Sequence, residues 1–230
     1  MHRNGAKQMS YAVAIDGPAG AGKSTIAKSV AKEMEFIYVD TGAMYRAMAV
    51  YFMEHQVEPS DEAAVNEACK HVEINITYEN GAQQVMLNGA NVTGKLREEA
   101  VGKMASLTSK YARVRSKLVD LQRQLAATAD VIMDGRDIGT TVLPNAEVKI
   151  YLTASADARA QRRFDELKEK GEQPDFQLIK EDIENRDYQD MHRAISPLKQ
   201  AEDAVLLDTS DMNIDEVVQA VKNLINQDRR

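Results

Sequence analysis

The sequence predicts a three-layer α/β fold: a five-stranded parallel sheet with helices on both faces, interrupted by a small antiparallel β insertion. Three observations predict it. Five short apolar runs alternate with helix-period segments along the 230 residues, the pattern of strands joined by crossover helices. One stretch breaks that alternation with period-two hydrophobicity between Asn-Gly pairs, which reads as hairpins. The composition is that of an ordinary globular chain, 43% hydrophobic and 28% charged with 12 Gly and 5 Pro, which excludes disordered and fibrous classes and leaves few long loops.

The elements follow in order. Residues 1–9 are polar and lack the apolar stretch of a signal peptide, so they read as a tail, with Met9 a plausible alternative initiator. The run YAVAID at 11–16 ends in glycines and fits a buried strand. Ile26, Val30 and Met34, with Ala27 and Ala31, then form one helical face. Residues 36–39 read as a second strand and 45–54 as a helix. Val72, Ile74, Ile76 and Tyr78 alternate with polar residues before Asn80-Gly81, and a second such run ends at Asn88-Gly89, giving a meander of two or three strands. Val114, Leu118, Leu121 and Leu125 mark a long helix. Residues 131–134 and 148–152 are two further buried strands, and 155–170 and 176–186 are charged helices around Gly171 and Pro174. A last strand at 204–208 precedes Asn213, which with Glu216 forms a capping-box pattern for a helix burying Val217, Val221, Leu224 and Ile225.

Chemistry enters at the first strand–helix junction. Gly17, Pro18, Ala19, Gly20, Ala21, Gly22, Lys23 and Ser24, followed by Thr25, fit G-x-x-x-x-G-K-[ST] at every fixed position. The match lies between a predicted strand and a predicted helix, the context that gives the motif its mechanics. Glycines let successive N–H groups turn toward a polyphosphate, and the helix N-terminus adds partial positive charge. Lys23 is placed for the β- and γ-phosphates, and the Ser24 hydroxyl for Mg²⁺. The predicted fold is therefore of the P-loop NTPase type. No Asn-Lys-x-Asp guanine signature occurs, which weakens a GTPase switch reading.

Two more segments follow predicted strands on the same rim: DTGAMYR at 40–46 and DGRDIGT at 134–140. Asp134 stands where a carboxylate holds Mg²⁺ in phosphate-loop proteins. Arg186, Asp190 and Arg193 share one face if their stretch is helical; Arg113, Arg115 and Arg123 line another helix, and Arg159, Arg162 and Arg163 a third. A charged face taken alone is usually only solvated. Several arginines near a phosphate loop suggest a second anionic ligand, because the planar guanidinium binds two phosphate oxygens at once.

GPAGAGKST, DTGAMYR, RVRSKLVDLQRQ at 113–124, DGRDIGT and ENRDYQDMHRAISPL at 184–198 together resemble bacterial cytidylate kinases. The resemblance runs from about Tyr11 to the C-terminus. It implies one kinase domain over residues 10–230, with a phosphate-loop core, an acceptor-side insertion at about 60–110 and a lid at about 155–186. It implies transfer of the ATP γ-phosphoryl group to CMP or dCMP with Mg²⁺. By matching position, Thr41, Arg46, Arg136 and Arg193 would hold the CMP phosphate, Ser106 and Arg115 would read the cytosine edge, and Arg186 and Asp190 would contact the ribose. Arg159, Arg162 and Arg163 would come onto the ATP phosphates, and Asp137 matches a carboxylate important in the family.

Two other readings compete: a kinase for another monophosphate such as UMP, and a nucleotide-binding regulator without turnover. RNA binding is disfavoured by a net charge of −7 and 5% aromatics. The lone Cys69 permits no intrachain disulfide, and no run approaches the roughly 18 apolar residues of a membrane span. The expectation is a cytosolic protein, a monomer by default, with small nucleotides as partners.

Overall fold

The computed structural model describes residues 10–230; the tail expected over 1–9 lies outside them. The chain runs β1 (Ala12–Asp16), α1 (Lys23–Met34), β2 (Ile37–Asp40), α2 (Thr41–Glu54) and α3 (Glu62–Ala68). The insertion follows as β3 (Ile74–Glu79), β4 (Ala82–Leu87) and β5 (Ala90–Asn91), then α4 (Glu99–Thr108) and α5 (Ala112–Ala126). β6 (Val131–Gly135), β7 (Val148–Thr153), α6 (Ala156–Glu169), α7 (Phe176–His192), β8 (Val205–Asp208) and α8 (Ile214–Asp228) complete it.

The main sheet has the order β2-β6-β1-β7-β8, with every neighbouring pair parallel. Both parallel sheet and antiparallel insertion are as the sequence predicts. β1 and β6 are buried throughout because they sit mid-sheet between two helical layers. On one face, Val13 and Ile15 pack with Ile26 and Val30 of α1 and Val221 and Ile225 of α8. On the other, Ala14 and Met133 pack with Met44, Met48 and Phe52 of α2 and Leu118 of α5. The chain leaves β1 toward one edge and returns through β6 to leave toward the other, so the β1 carboxyl end is the switch point where ligands bind in such sheets. The register sets Asp40 opposite Asp134 and Ile15 opposite Asp134. That places the polar ends of β1, β2 and β6 on one rim.

The insertion forms three antiparallel strands in the order β3-β4-β5. Asn80-Gly81 (φ 52° and 77°) and Asn88-Gly89 (φ 47° and 82°) supply the left-handed backbone its tight turns require. Its inner residues Ile74, Val85 and Leu87 join the core beside α2.

Some boundaries differ from the sequence reading. The helix expected from Tyr45 begins at Thr41, because the Asp40 carboxylate accepts the Ala43 N–H at 2.9 Å and caps it. α7 runs on to His192, so Arg186 and Asp190 share a helix and Arg193 ends it. The short α3 and α4 were not foreseen, nor was the single π-helical turn Ile138–Val142 after β6. Among the described residues no helix is long and apolar enough to cross a membrane.

Candidate active site

The phosphate loop lies between the carboxyl ends of β1 and β7. A Cβ on Gly17 would stand 1.9 Å from the Leu152 carbonyl oxygen, so only glycine lets the loop leave β1 this close to β7. Lys23 opens α1 and is buried, with Nζ donating to the Pro18 carbonyl at 2.7 Å. Burial, followed by the nearby Arg136 guanidinium, pushes its pKa down. Ser24 Oγ donates to one Asp134 carboxylate oxygen at 2.7 Å, and the Tyr38 hydroxyl donates to the other at 2.8 Å. Burial and the neighbouring Asp40 charge raise the Asp134 pKa, against the opposing pull of Lys23 and these two donors.

Asp16, the last residue of β1, links this loop to the turn after β6. Its two oxygens accept the N–H groups of Ile138 and Gly139, each at 2.7 Å, and burial raises its pKa to about 6. These bonds hold the π turn immediately behind Arg136 and Asp137. Thr41 Oγ1 donates to the Asp134 carbonyl at 2.7 Å. A Cβ on Gly135 would lie 2.9 Å from that hydroxyl, so the glycine gives Thr41 its place.

The arginines divide into those the fold gathers and those it does not. Arg115, Asp137, Arg193, Asp190 and Arg136 form one chain of ion pairs. Arg115 pairs with Asp137, Arg193 reaches Asp137 at 3.4 Å and Asp190 at 3.7 Å, and Arg136 Nε meets Asp190 at 2.8 Å. Three guanidiniums against two carboxylates leave a local positive excess. Burial and then Arg115 lower the Arg193 pKa; burial also pulls on Arg136, but the carboxylates of Asp190, Asp134 and Asp187 together outweigh it and raise the Arg136 pKa. Arg46 stands 3.9 Å from Asp40 on the same rim. Ser106 lines a cleft of about 760 Å³ together with Lys110, Tyr111, Asp190 and Arg193. Arg115 is buried with its guanidinium 5.6 Å from the centre of the Tyr45 ring, and its Nε has no acceptor among the described residues.

Arg159 is buried and ties three elements together. It donates to the Ala154 carbonyl at 2.9 Å, to the phosphate-loop carbonyl of Ala19 at 3.0 Å and to Asp187 of α7 at 2.6 Å. Arg162 instead reaches the Thr209 carbonyl at 2.6 Å, after β8. Arg163 and Arg186 are half-exposed and pair with Glu166 and Asp182 on their own helices. Neither belongs to the gathered chain.

The arrangement offers two cationic subsites on one rim, with Ser24 and Asp134 between them. A family model described as Cytidylate kinase matches residues 13–227. The chain belongs to the cytidylate kinase family. The cytidylate kinase of Lactobacillus johnsonii is 49% identical over 95% of each chain. That of Caldicellulosiruptor bescii is 48% identical over 92% of this chain and 94% of its own. A gluconokinase from Sinorhizobium meliloti superposes with a TM-score of 0.50 at 11% identity, covering 96% of this chain and 95% of its own, a likeness of fold alone.

Within this cytidylate kinase family member the sequence reading missed Asp16, Tyr38 and Asp187. Asp16 carried a faint signal, a lone charge closing an apolar strand. Tyr38 read as part of a strand and Asp187 as part of a solvated helix face; only tertiary packing shows what they bind.

Proposed function

We propose that the protein transfers the γ-phosphoryl group of ATP to CMP or dCMP, giving ADP and CDP or dCDP. The observation that carries this reading is the meeting, on one rim of a cytidylate kinase family fold, of a phosphate loop and a partly buried arginine chain with a positive excess. Two phosphate charges about 4 Å apart repel by about 1 kcal/mol in water and by about 4 kcal/mol at an effective dielectric of 20. Lys23 on the donor side and Arg46, Arg136 and Arg193 on the acceptor side offset that repulsion. Thr41 adds a hydroxyl to the acceptor phosphate, Ser106 and Arg115 face the base, and Asp190 and Arg186 serve the ribose. Arg115 suits base reading because its Nε has no acceptor among the described residues. Arg159, Arg162 and Arg163 act from a lid made by α6 and α7, and the insertion with its flanking helices forms the acceptor-side wall.

Ser24 and Asp134 fit a Mg²⁺ ion. Their oxygens lie 2.7 Å apart, and among the described residues no group of three metal-ligating side chains forms a cage. That donor set suits an ion held by one carboxylate, a hydroxyl and substrate phosphates. When bound, Mg²⁺ neutralises phosphate charge. In the transfer itself an acceptor phosphate oxygen bonds to the γ-phosphorus as the bond to the β,γ-bridging oxygen breaks. A phosphate monoester has a second pKa of about 6 and is already largely dianionic at neutral pH, so no side chain need remove a proton. The chain's contribution is positioning, charge and exclusion of water.

Cytosine presents N3 and O2 acceptors and an N4 donor, whereas uracil presents N3–H and O4. A site built for one leaves buried groups unpaired with the other. Equilibrium titration should show CMP binding at least about tenfold more tightly than UMP. Equal affinities would contradict the base assignment.

A further inference from the structure

Among the described residues β2 is an edge strand, bonded to β6 alone. The Ile37 N–H points to β6, donating to the Asp130 carbonyl at 2.9 Å. Main-chain groups alternate along a strand, so those of Tyr38 and Asp40 point to the outer edge, beyond which no strand lies among the described residues. Two side chains of the insertion meet them there. The Gln83 amide accepts the Asp40 N–H at 2.8 Å and donates to the Asp40 carbonyl at 3.2 Å, bonding both groups as a neighbouring strand would. The Tyr78 hydroxyl donates to the Tyr38 carbonyl at 3.1 Å.

These two residues are directly opposed across the hairpin. Ile74 faces Leu87, Ile76 faces Val85, and Tyr78 faces Gln83. Two apolar pairs lie along the face turned to α2, and the third pair is polar where the hairpin meets the open edge of β2. What it grips matters to the site. The Tyr38 side chain holds Asp134. Asp40 caps α2 and stands beside Arg46, and Thr41 follows it. We infer that Gln83 and Tyr78 are positioning residues through which the insertion fixes the strand–helix turn that aims Thr41 and Arg46 at the acceptor phosphate. This inference rests on the proposed function for its kinetic consequence, but the clamp itself can be read without turnover.

The test compares wild type, Gln83→Ala and the milder Tyr78→Phe. Removing the amide strands two backbone groups of Asp40, a loss of bonding that corresponds to about a tenfold rise in the KM for CMP. Tyr78→Phe loses one bond and should raise it by about threefold. The KM for ATP should stay within about twofold in both, since the phosphate loop is untouched. Hydrogen exchange of the peptide containing the Asp40 amide should quicken at least about tenfold in Gln83→Ala. Kinetic constants and exchange both unchanged would overturn the clamp. So would equal losses for both substrates with a lowered melting temperature, which is what a merely structural role produces. Wild type without CMP-dependent turnover would instead sink the proposed function, leaving the exchange measurement to decide the clamp.

Discussion

At the scale of single residues, Asp16 is the one whose environment makes the sharpest claim. Burial raises its pKa from 3.8 to about 6 although two N–H groups favour its charged form. The folded chain therefore holds that proton more tightly than the unfolded one. Its contribution to stability is fully present below about pH 4 and is lost as the pH rises through about 6. Urea unfolding of wild type and Asp16→Asn between pH 4 and 7 should show wild type losing about 1–3 kcal/mol relative to the variant across that interval. Parallel curves would contradict the assignment. The charges proposed to meet phosphate should act on turnover instead. Lys23→Ala and Arg136→Ala should each lower kcat at least about 100-fold while the chain still unfolds cooperatively, as circular dichroism on heating would show. Near-normal turnover in either would remove that residue from the machinery.

At the scale of elements, β2 and the phosphate loop are held from opposite sides by different devices. The insertion grips β2, whereas Arg159 ties α6 and the α7 residue Asp187 to the phosphate loop at Ala19. Asp187→Ala leaves the Arg159 guanidinium with one partner fewer in a buried place. It should raise the KM for ATP by about tenfold with a smaller effect on CMP, the reverse of the Gln83→Ala pattern; steady-state kinetics with each substrate varied in turn separates the two. α8 stands apart from the rim. Its capping box is complete, with Asn213 accepting the Glu216 N–H at 3.0 Å and Glu216 accepting the Asn213 N–H at 2.9 Å. Asn213→Ala should lower stability by about 1 kcal/mol in denaturant unfolding and leave the kinetics alone. That box was legible in the sequence because its spacing is local. The Asp40 cap is just as local, but Ala43 stands where a box would have Glu or Gln, so the apolar stripe alone starts α2 at Tyr45, four residues after the Asp40 cap actually opens it.

At the scale of the whole molecule, a chain of net charge −7 gathers a local excess of positive charge on one rim. The sheet was legible because each strand is a short apolar run and each crossover carries a helical stripe. The phosphate loop was legible because its chemistry is contiguous. The acceptor side was legible only as residue types: Arg136, Asp190 and Arg193 lie up to 57 positions apart in sequence, and nothing local says that one chain of ion pairs joins them. Arg163 and Arg186 lie one turn from Arg159 and Asp190 on the same helix faces, yet each pairs with an acidic residue of its own helix, Glu166 and Asp182, and not with the gathered chain. What binds on that rim is the central claim, and ADP release with Mg-ATP and each of CMP, dCMP, UMP, AMP and GMP tests it most directly. The account predicts turnover with CMP and dCMP far above the other three and almost none without an acceptor. Turnover led by another monophosphate, or ADP formed at the same rate with no acceptor present, would contradict it.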